Sequence, residues 1–329
     1  MHFTKMQGTG NDYIYVNGFE ESVRDAPELA RRISDRHFGV GSDGLVLIQP
    51  PQTASADFRM EMYNADGSRG RMCGNAIRCV AKYVLDHGLL RNPEAGKDGA
   101  SQVRVETDAG LKLIRVWSGS DGKATEAEVN MGPPILTRAL IPMKDGGNPG
   151  KPAINVPLEV KGLVFHVTAV SMGNPHAVLR VDSYREARRT GSGDASIPSL
   201  EGLPLGEWPL WQLGPHFENH PWFPDRVNTE FIVVRNRTEI DFRVWERGSG
   251  ETLGCGTGAC AAVVAAVLNG WCDGSVLVHL RGGDLRVRWE GAAKKPESGL
   301  LEGGAVFMRG PAVEVFAGDW SPPPGVTVS

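Results

Sequence analysis

Alternation of apolar and polar positions sets most of the pattern along this chain, and helical spacing interrupts it in only a few places. Short strands are predicted at 3–7 and 13–16, around the turn Gly8-Thr9-Gly10-Asn11-Asp12. Others follow at 45–48 and in a run where Phe58, Met60 and Met62 share one face. A helix is predicted to open at Asp25-Ala26-Pro27, with Asp as cap and Pro in the first turn, and to stop near Gly39. A second helix follows Cys73: Ile77, Val80, Ala81, Val84 and Leu85 recur at helical spacing before Gly88 ends it. Strands at 103–105 and 111–116 form a predicted antiparallel pair, and 143–152, rich in Gly and Pro, is predicted as an irregular loop.

The second half repeats this order. Strands at 163–167 and 177–181 flank Gly173-Asn174-Pro175-His176, and strands at 231–234 and 242–245 lead to Glu246. The helix 259–268 is apolar all round, so burial on every side is expected. Strands at 276–278, 285–289, 306–308 and 313–316 complete the pattern, with a loop over 291–303. Residues 183–225, with several prolines and tryptophans, read as an extended, partly helical insertion. The expected fold is α/β (α+β), with two pseudo-symmetric domains. Each is a strongly twisted mixed sheet or barrel wrapped round a central apolar helix. The predicted division is 1–125, joined by a C-terminal strand 311–320, then 126–310 with the insertion 183–225, then a disordered tail 321–329.

Composition narrows the function classes. A net charge of −4 offers no general attraction to nucleic acid or to an anionic membrane, and no apolar stretch is long enough to span a bilayer. The N-terminus lacks the pattern of a signal peptide, so a cytoplasmic protein is expected. Five cysteines make an odd number for a disulfide framework. No paired Cys/His spacing suggests zinc, so reduced thiols and no metal are expected.

Two of those cysteines carry the candidate chemistry. Cys73 lies nine positions after Asn64, and Cys255 nine positions after Glu246. Each is followed by glycine and a small polar residue at the start of a predicted helix. A helix N-terminus offers unpaired N–H groups and partial positive charge, which lower a thiol pKa and hold a carboxylate. Two such ends around one carbon suit removal of an α-proton by one thiolate and delivery of a proton by the opposite thiol. A redox couple fits the same thiols, and Gly254-Cys255-Gly256-Thr257-Gly258 alone could bind phosphate, although no Gly-Lys-Ser/Thr follows. Cys79, Cys260 and Cys272 read as core residues. Asn11, Asn64, Asn174 and Asn228 stand at matched strand ends, where turn and ligand-binding roles are both open.

Taken together, Gly8-Thr9-Gly10-Asn11-Asp12, Asn64 to Ser68, Met72-Cys73-Gly74-Asn75-Ala76-Ile77-Arg78-Cys79, Gly173-Asn174-Pro175-His176 and Glu246-Arg247-Gly248 through Cys255-Gly256-Thr257-Gly258 resemble diaminopimelate epimerase, in order along nearly the whole chain. The resemblance implies a cofactor-independent, PLP-free two-base epimerase interconverting LL- and meso-diaminopimelate in lysine and peptidoglycan synthesis. It implies Cys73 and Cys255 as the acid/base pair, and Gly74, Asn75, Gly256 and Thr257 as backbone donors to the reacting carboxylate. Asn11, Asn64, Asn174, Asn228, Glu246 and Arg247 would read the distal end of the substrate, and His176 and Glu246 would adjust the thiol pKa values. The implied partners are the small-molecule substrate and a second copy in a homodimer, with 315–316 a candidate contact. Departures from the family pattern are Gln7 where His is common, Gly44 without a side chain, Arg69 and Arg71 adding charge near Cys73, and the long insertion. The nearest alternative is a related amino-acid racemase of the proline racemase group; a thiol–disulfide protein is the alternative from another class.

Overall fold

The computed structural model describes residues 1–90, 96, 98–181, 200, 202–293 and 303–321. The expected disordered tail from 322 onward, residues 183–199 and 201 of the expected insertion, and most of the expected loop at 291–303 lie outside the described residues. The chain divides into two compact units, Met1–Asn130 with Arg309–Ser329, and Met131–Met308.

In the first unit, β1 (His2–Gly8), β2 (Asn11–Asn17), β3 (Gly44–Gln49), β4 (Phe58–Asn64), β5 (Arg69–Gly70), β6 (Ser101–Thr107), β7 (Gly110–Ser118) and β8 (Ala124–Gly132) are joined by two helices, α1 (Ala26–Ser34) and α2 (Gly74–Asp86). Pairing runs β1–β2 antiparallel, β2–β3 parallel, β3–β4 antiparallel, β4–β6 parallel, β6–β7 antiparallel and β7–β8 antiparallel. The Asp25 carboxylate accepts from the Glu28 N–H at 3.0 Å and caps α1. Leu29, Ala30 and Ile33 on its inner face are fully buried. Helix α2 packs against β1, β2 and β7 and buries Ile77, Cys79, Val80, Ala81 and Val84 completely.

In the second unit, β9 (Val156–Val160), β10 (Leu163–Ser171), β11 (Pro175–Arg180), β12 (Asn228–Asn236), β13 (Glu239–Glu246), β14 (Gly250–Glu251), β15 (Ser275–Leu280) and β16 (Gly283–Trp289) accompany α3 (Leu210–Glu218) and α4 (Gly256–Leu268). The order of pairing repeats: β10–β11 antiparallel, β11–β12 parallel, β12–β13 antiparallel, β13–β15 parallel and β15–β16 antiparallel. Helix α4 is buried from Ala259 to Ala266 without interruption and packs against β10, β11, β12, β15 and β16. That is the burial its all-apolar sequence predicts. Strand β17 (Val306–Pro311) leads the chain back, and β18 (Val313–Asp319) pairs antiparallel with β1.

The architecture is a mixed α/β fold dominated by sheet, with few helices. Four strands add to the predicted set, two of them the two-residue β5 and β14. Strand β8 buries Ala124, Ala127, Val129 and Met131 on one face, a pattern that its small alanines and intervening glutamates mute in the sequence. Strand β9 contains Pro157, which cannot donate to a ladder. It pairs with β10, and among the described residues no second strand pairing is seen for it. Inside the insertion, α3 packs on β12, β13 and β14, placing Leu210, Leu213 and Phe217 in the core with Phe165 and Phe231. No helix among the described residues is long and apolar enough to cross a membrane.

Candidate active site

The predicted site residues divide between the units: Asn11, Asn64, Cys73, Gly74 and Asn75 lie in the first, and Asn174, His176, Asn228, Glu246, Arg247, Cys255, Gly256 and Thr257 in the second. Each cysteine is the extended residue at the mouth of its unit's buried helix. Cys73 has φ −131° and ψ 124°, and Cys255 has φ −119° and ψ 113°. The carbonyl of each accepts the first intrahelical bond, from Ile77 N–H at 3.0 Å and from Ala259 N–H at 2.9 Å. The N–H groups of Gly74 and Asn75, and of Gly256 and Thr257, therefore fall in the first turn, where a helix has no acceptor of its own.

Around Cys73 the sheet end is braced by polar contacts. The thiol donates to Asn11 Oδ1 at 3.4 Å, and Asn11 Nδ2 donates to Asp43 Oδ2 at 2.8 Å. Burial, then the neighbouring Asp12 charge, raises the Asp43 pKa above the ordinary carboxylate value. Arg36 bridges Asp12 and Asp43 at 2.9 and 3.0 Å. Gln7, at the position where the family commonly has His, accepts from the Gly10 N–H at 2.9 Å and so shapes the Asn11 turn. Asn64 closes its own turn, donating from Nδ2 to Ser68 Oγ at 2.9 Å. Gly44 is required: a Cβ there would press into the Tyr63 carbonyl oxygen and the Tyr13 ring. Arg69 is engaged by Asp108 through Nε and Nη2, so its charge is partly neutralised there, and Arg71 donates to the Asp108 carbonyl at 3.4 Å.

Cys255 sits in different surroundings. Its sulfur accepts from the Gly258 N–H at 3.4 Å and lies 3.5 Å from Thr257 Oγ1, contacts that favour a thiolate. Yet burial, followed by the charge of Glu246, lifts its pKa well above the ordinary thiol value. This reverses the lowering expected from a helix N-terminus alone, because the residue is only 6% exposed and the Glu246 carboxylate acts on it. Glu246 ends β13 and accepts from Thr252 Oγ1 at 2.5 Å. Asn228 is a buried brace: Nδ2 donates to the Pro175 carbonyl and Oδ1 accepts from the Arg247 N–H, both at 2.9 Å. Arg247 donates from Nη1 to the Asp225 carbonyl at 2.8 Å. His176 is completely buried, with Nδ1 2.6 Å from Glu230 Oε1 and Nε2 3.0 Å from Asn174 Oδ1.

Two residues of this region were not among those predicted. Glu230 stands fully buried in β12, with Oε1 against the first turn of α4: a Cβ on Gly258 would lie 2.8 Å from it and 3.2 Å from Cys255 Cβ. Its signal was a charged residue in Asn228-Thr229-Glu230-Phe231, just before an apolar run. Glu218, at the end of α3, accepts from the Gly248 N–H at 2.9 Å and from Trp245 Nε1 at 2.8 Å, and pairs with Arg226 at 3.0 Å. The insertion thereby ties down the turn that carries Glu246 and Arg247.

Comparison with known proteins sharpens the picture. The sequence model of the family described as Diaminopimelate epimerase matches residues 3–137 and 168–315. The diaminopimelate epimerase of Desulfovibrio desulfuricans is 47% identical over 323 residues, covering 97% of this chain and 98% of that protein. That of Acetivibrio thermocellus is 47% identical over 320 residues, with the same coverage of each chain. Among solved structures, a probable proline racemase from Agrobacterium radiobacter superposes with a TM-score of 0.66 over 98% of this chain and 94% of that one. At 16% identity this last match is a likeness of fold.

Proposed function

The chain belongs to the diaminopimelate epimerase family, and from that premise we propose that it interconverts LL- and meso-diaminopimelate with Cys73 and Cys255 as paired acid and base. The observation that carries the reading is the repeated placement of a cysteine as the extended N-terminal residue of a buried helix, once per unit, each followed by two first-turn N–H groups. One thiolate takes the α-proton, and the other thiol returns a proton to the opposite face of the carbon. The substrate carboxylate, which gains enolate charge as the proton leaves, is held by the N–H groups of Gly74, Asn75, Gly256 and Thr257. Asn11, Asn64, Asn174, Asn228, Glu246 and Arg247 read the distal amino-acid end, where a guanidinium suits a carboxylate and a carboxylate suits an ammonium. His176 and Glu246 set the charge around the second thiol. The enzyme works in the cytoplasm as a homodimer on the route to lysine and peptidoglycan.

The free-state electrostatics support a starting arrangement. Burial and the Glu246 charge raise the Cys255 pKa above the ordinary thiol value, which favours its protonated form, the one that acts as donor. The test is exchange of the substrate α-proton into deuterium oxide and epimerisation of LL-diaminopimelate, without added PLP or metal. Wild-type protein exchanges and epimerises. Cys73→Ala and Cys255→Ala each lose at least about a thousandfold in epimerisation, the scale of a missing acid or base. Exchange with proline and none with diaminopimelate would transfer the chain to the racemase reading.

A further inference from the structure

We propose that Glu230 is a positioning residue of this site, acting in its neutral form through His176 to fix which end of the Asn174 amide meets the substrate. The proposal rests on the functional reading above, in which Asn174 contacts the distal end of diaminopimelate.

The geometry leaves few choices. Asn174 Oδ1 lies 3.0 Å from His176 Nε2. A carbonyl oxygen accepts, so Nε2 carries a hydrogen and donates, and Nδ1 is the other end of the ring. Glu230 Oε1 stands 2.6 Å from Nδ1 in a place where both side chains are wholly buried. One proton lies in that contact, and either the imidazole or the carboxyl holds it. Oε2 of Glu230 is buried and has no hydrogen-bond partner among the described residues. An ionised carboxylate with an orphaned oxygen in such a place is costly, whereas a carboxylic acid hides its charge and needs only its one donor satisfied. Glu230 therefore donates its O–H to Nδ1, the ring is the neutral Nε2–H tautomer, and Asn174 is held with its oxygen inward and its Nδ2 donors as the other end.

The fold does not demand this polar chain. By strand register, Tyr13, Val46 and Ala76 occupy in the first unit the places of His176, Glu230 and Gly258 in the second. Those three counterparts are buried, and none is ionised at neutral pH. Gly258, in turn, leaves room for the Glu230 oxygen that a Cβ would meet at 2.8 Å. A packing role alone would be served by valine.

The experiment compares Glu230→Gln with Glu230→Leu in the full chain. Glutamine reproduces the neutral acid, since its amide donates to Nδ1 as the O–H does; leucine fills the space without a donor. Long-range proton–nitrogen NMR of histidine-labelled protein, with His176 assigned by His176→Asn, is expected to show the neutral Nε2–H tautomer in wild type and Glu230→Gln, and a mixed ring in Glu230→Leu. In turnover, Glu230→Leu raises KM for diaminopimelate about tenfold, the worth of one lost hydrogen bond, with a smaller change in kcat. Glu230→Gln recovers most of that loss. A glutamine variant as impaired as the leucine one, or a charged or Nδ1–H ring in wild type, overturns the proposal by assigning Glu230 a charge. The tautomer measurement needs no substrate, so it still decides the proposal if wild-type protein fails to epimerise diaminopimelate and the functional reading falls.

Discussion

The two thiol turns share a backbone and differ in nearly everything that governs a proton. Cys73 is half-buried, and its S–H donates to an asparagine oxygen. Cys255 is buried, its sulfur accepts from Gly258 N–H, and the Glu246 carboxylate acts on it. In the first unit the nearby acids are matched: Asp12 meets Lys5 at 2.9 Å, and Arg36 reaches both Asp12 and Asp43. In the second unit, burial outweighs the hydrogen bonds to sulfur. A repeated fold thus supplies two equivalent positions, and the side chains behind them make one thiol more accessible and push the other's pKa above the ordinary thiol value. In a two-base epimerase each turnover starts with one sulfur charged and the other protonated and ends with the two exchanged, so this contrast weights one direction of the reaction against the other.

The largest expected effect that tests this contrast is chemical. At neutral pH, iodoacetamide followed by peptide mass spectrometry should modify Cys73 at least about tenfold faster than Cys255, since exposure and thiolate fraction set the rate. Equal rates would erase the distinction. The next concerns Gly258, whose counterpart Ala76 is tolerated in the first unit. Gly258→Ala is expected to cost about 1–3 kcal/mol in denaturant unfolding, the usual range for overpacking. Part of that cost should vanish in a Glu230→Val background, because the carboxylate oxygen at 2.8 Å is the nearest of the atoms the new methyl meets, ahead of Cys255 Cβ and Phe242 Cζ at 3.2 Å. Additive losses would show that some other neighbour is responsible.

The smallest effect is a pH slope. Burial pushes Cys79 and Cys272 up to about 11, and Cys255 is raised too. An unfolded thiol titrates near its ordinary value of about 8.5. The folded chain therefore keeps protons that the unfolded chain surrenders. This stability is complete below about pH 8.5 and is lost as pH rises toward the folded values. Removing one such group by Cys255→Ala should make the decline above about pH 8.5 shallower, by at most about 1.4 kcal/mol per pH unit. The contributions of Cys79 and Cys272 remain. An unchanged slope would mean that Cys255 titrates alike in both states.

Much of this was legible before any coordinates, for a physical reason. Helices α2 and α4 announce themselves because a buried helix shows its apolar residues at fixed spacing, and the cysteines are marked by glycine and a repeated nine-residue interval. What escaped lacks local periodicity. Strand β9 hides behind Pro157. Glu230 is separated from His176 by 54 residues, and their meeting depends on the parallel β11–β12 register, which no short-range pattern encodes. Glu218 could not be read from an insertion whose prolines obscure α3, although its contacts brace the Glu246–Arg247 turn. The direction of the Cys255 shift depended on burial and on the Glu246 charge, and so lay beyond a rule about helix ends.

The pairing of β18 with β1 joins the last strand of the chain to the first, with His2 opposite Asp319. Arg78, deep in α2, donates from Nε to the carbonyl of Pro311 at 3.2 Å. On the ribosome, the unit that contains Cys73 is therefore translated first but lacks β18, and the acceptor for Arg78, until residues 311–319 have been added. The second unit, contained within residues 131–308, has all its residues earlier. The order of synthesis and the order of completion are inverted, so a ribosome that stalls before residue 311 leaves a chain with a finished second unit and an open first one.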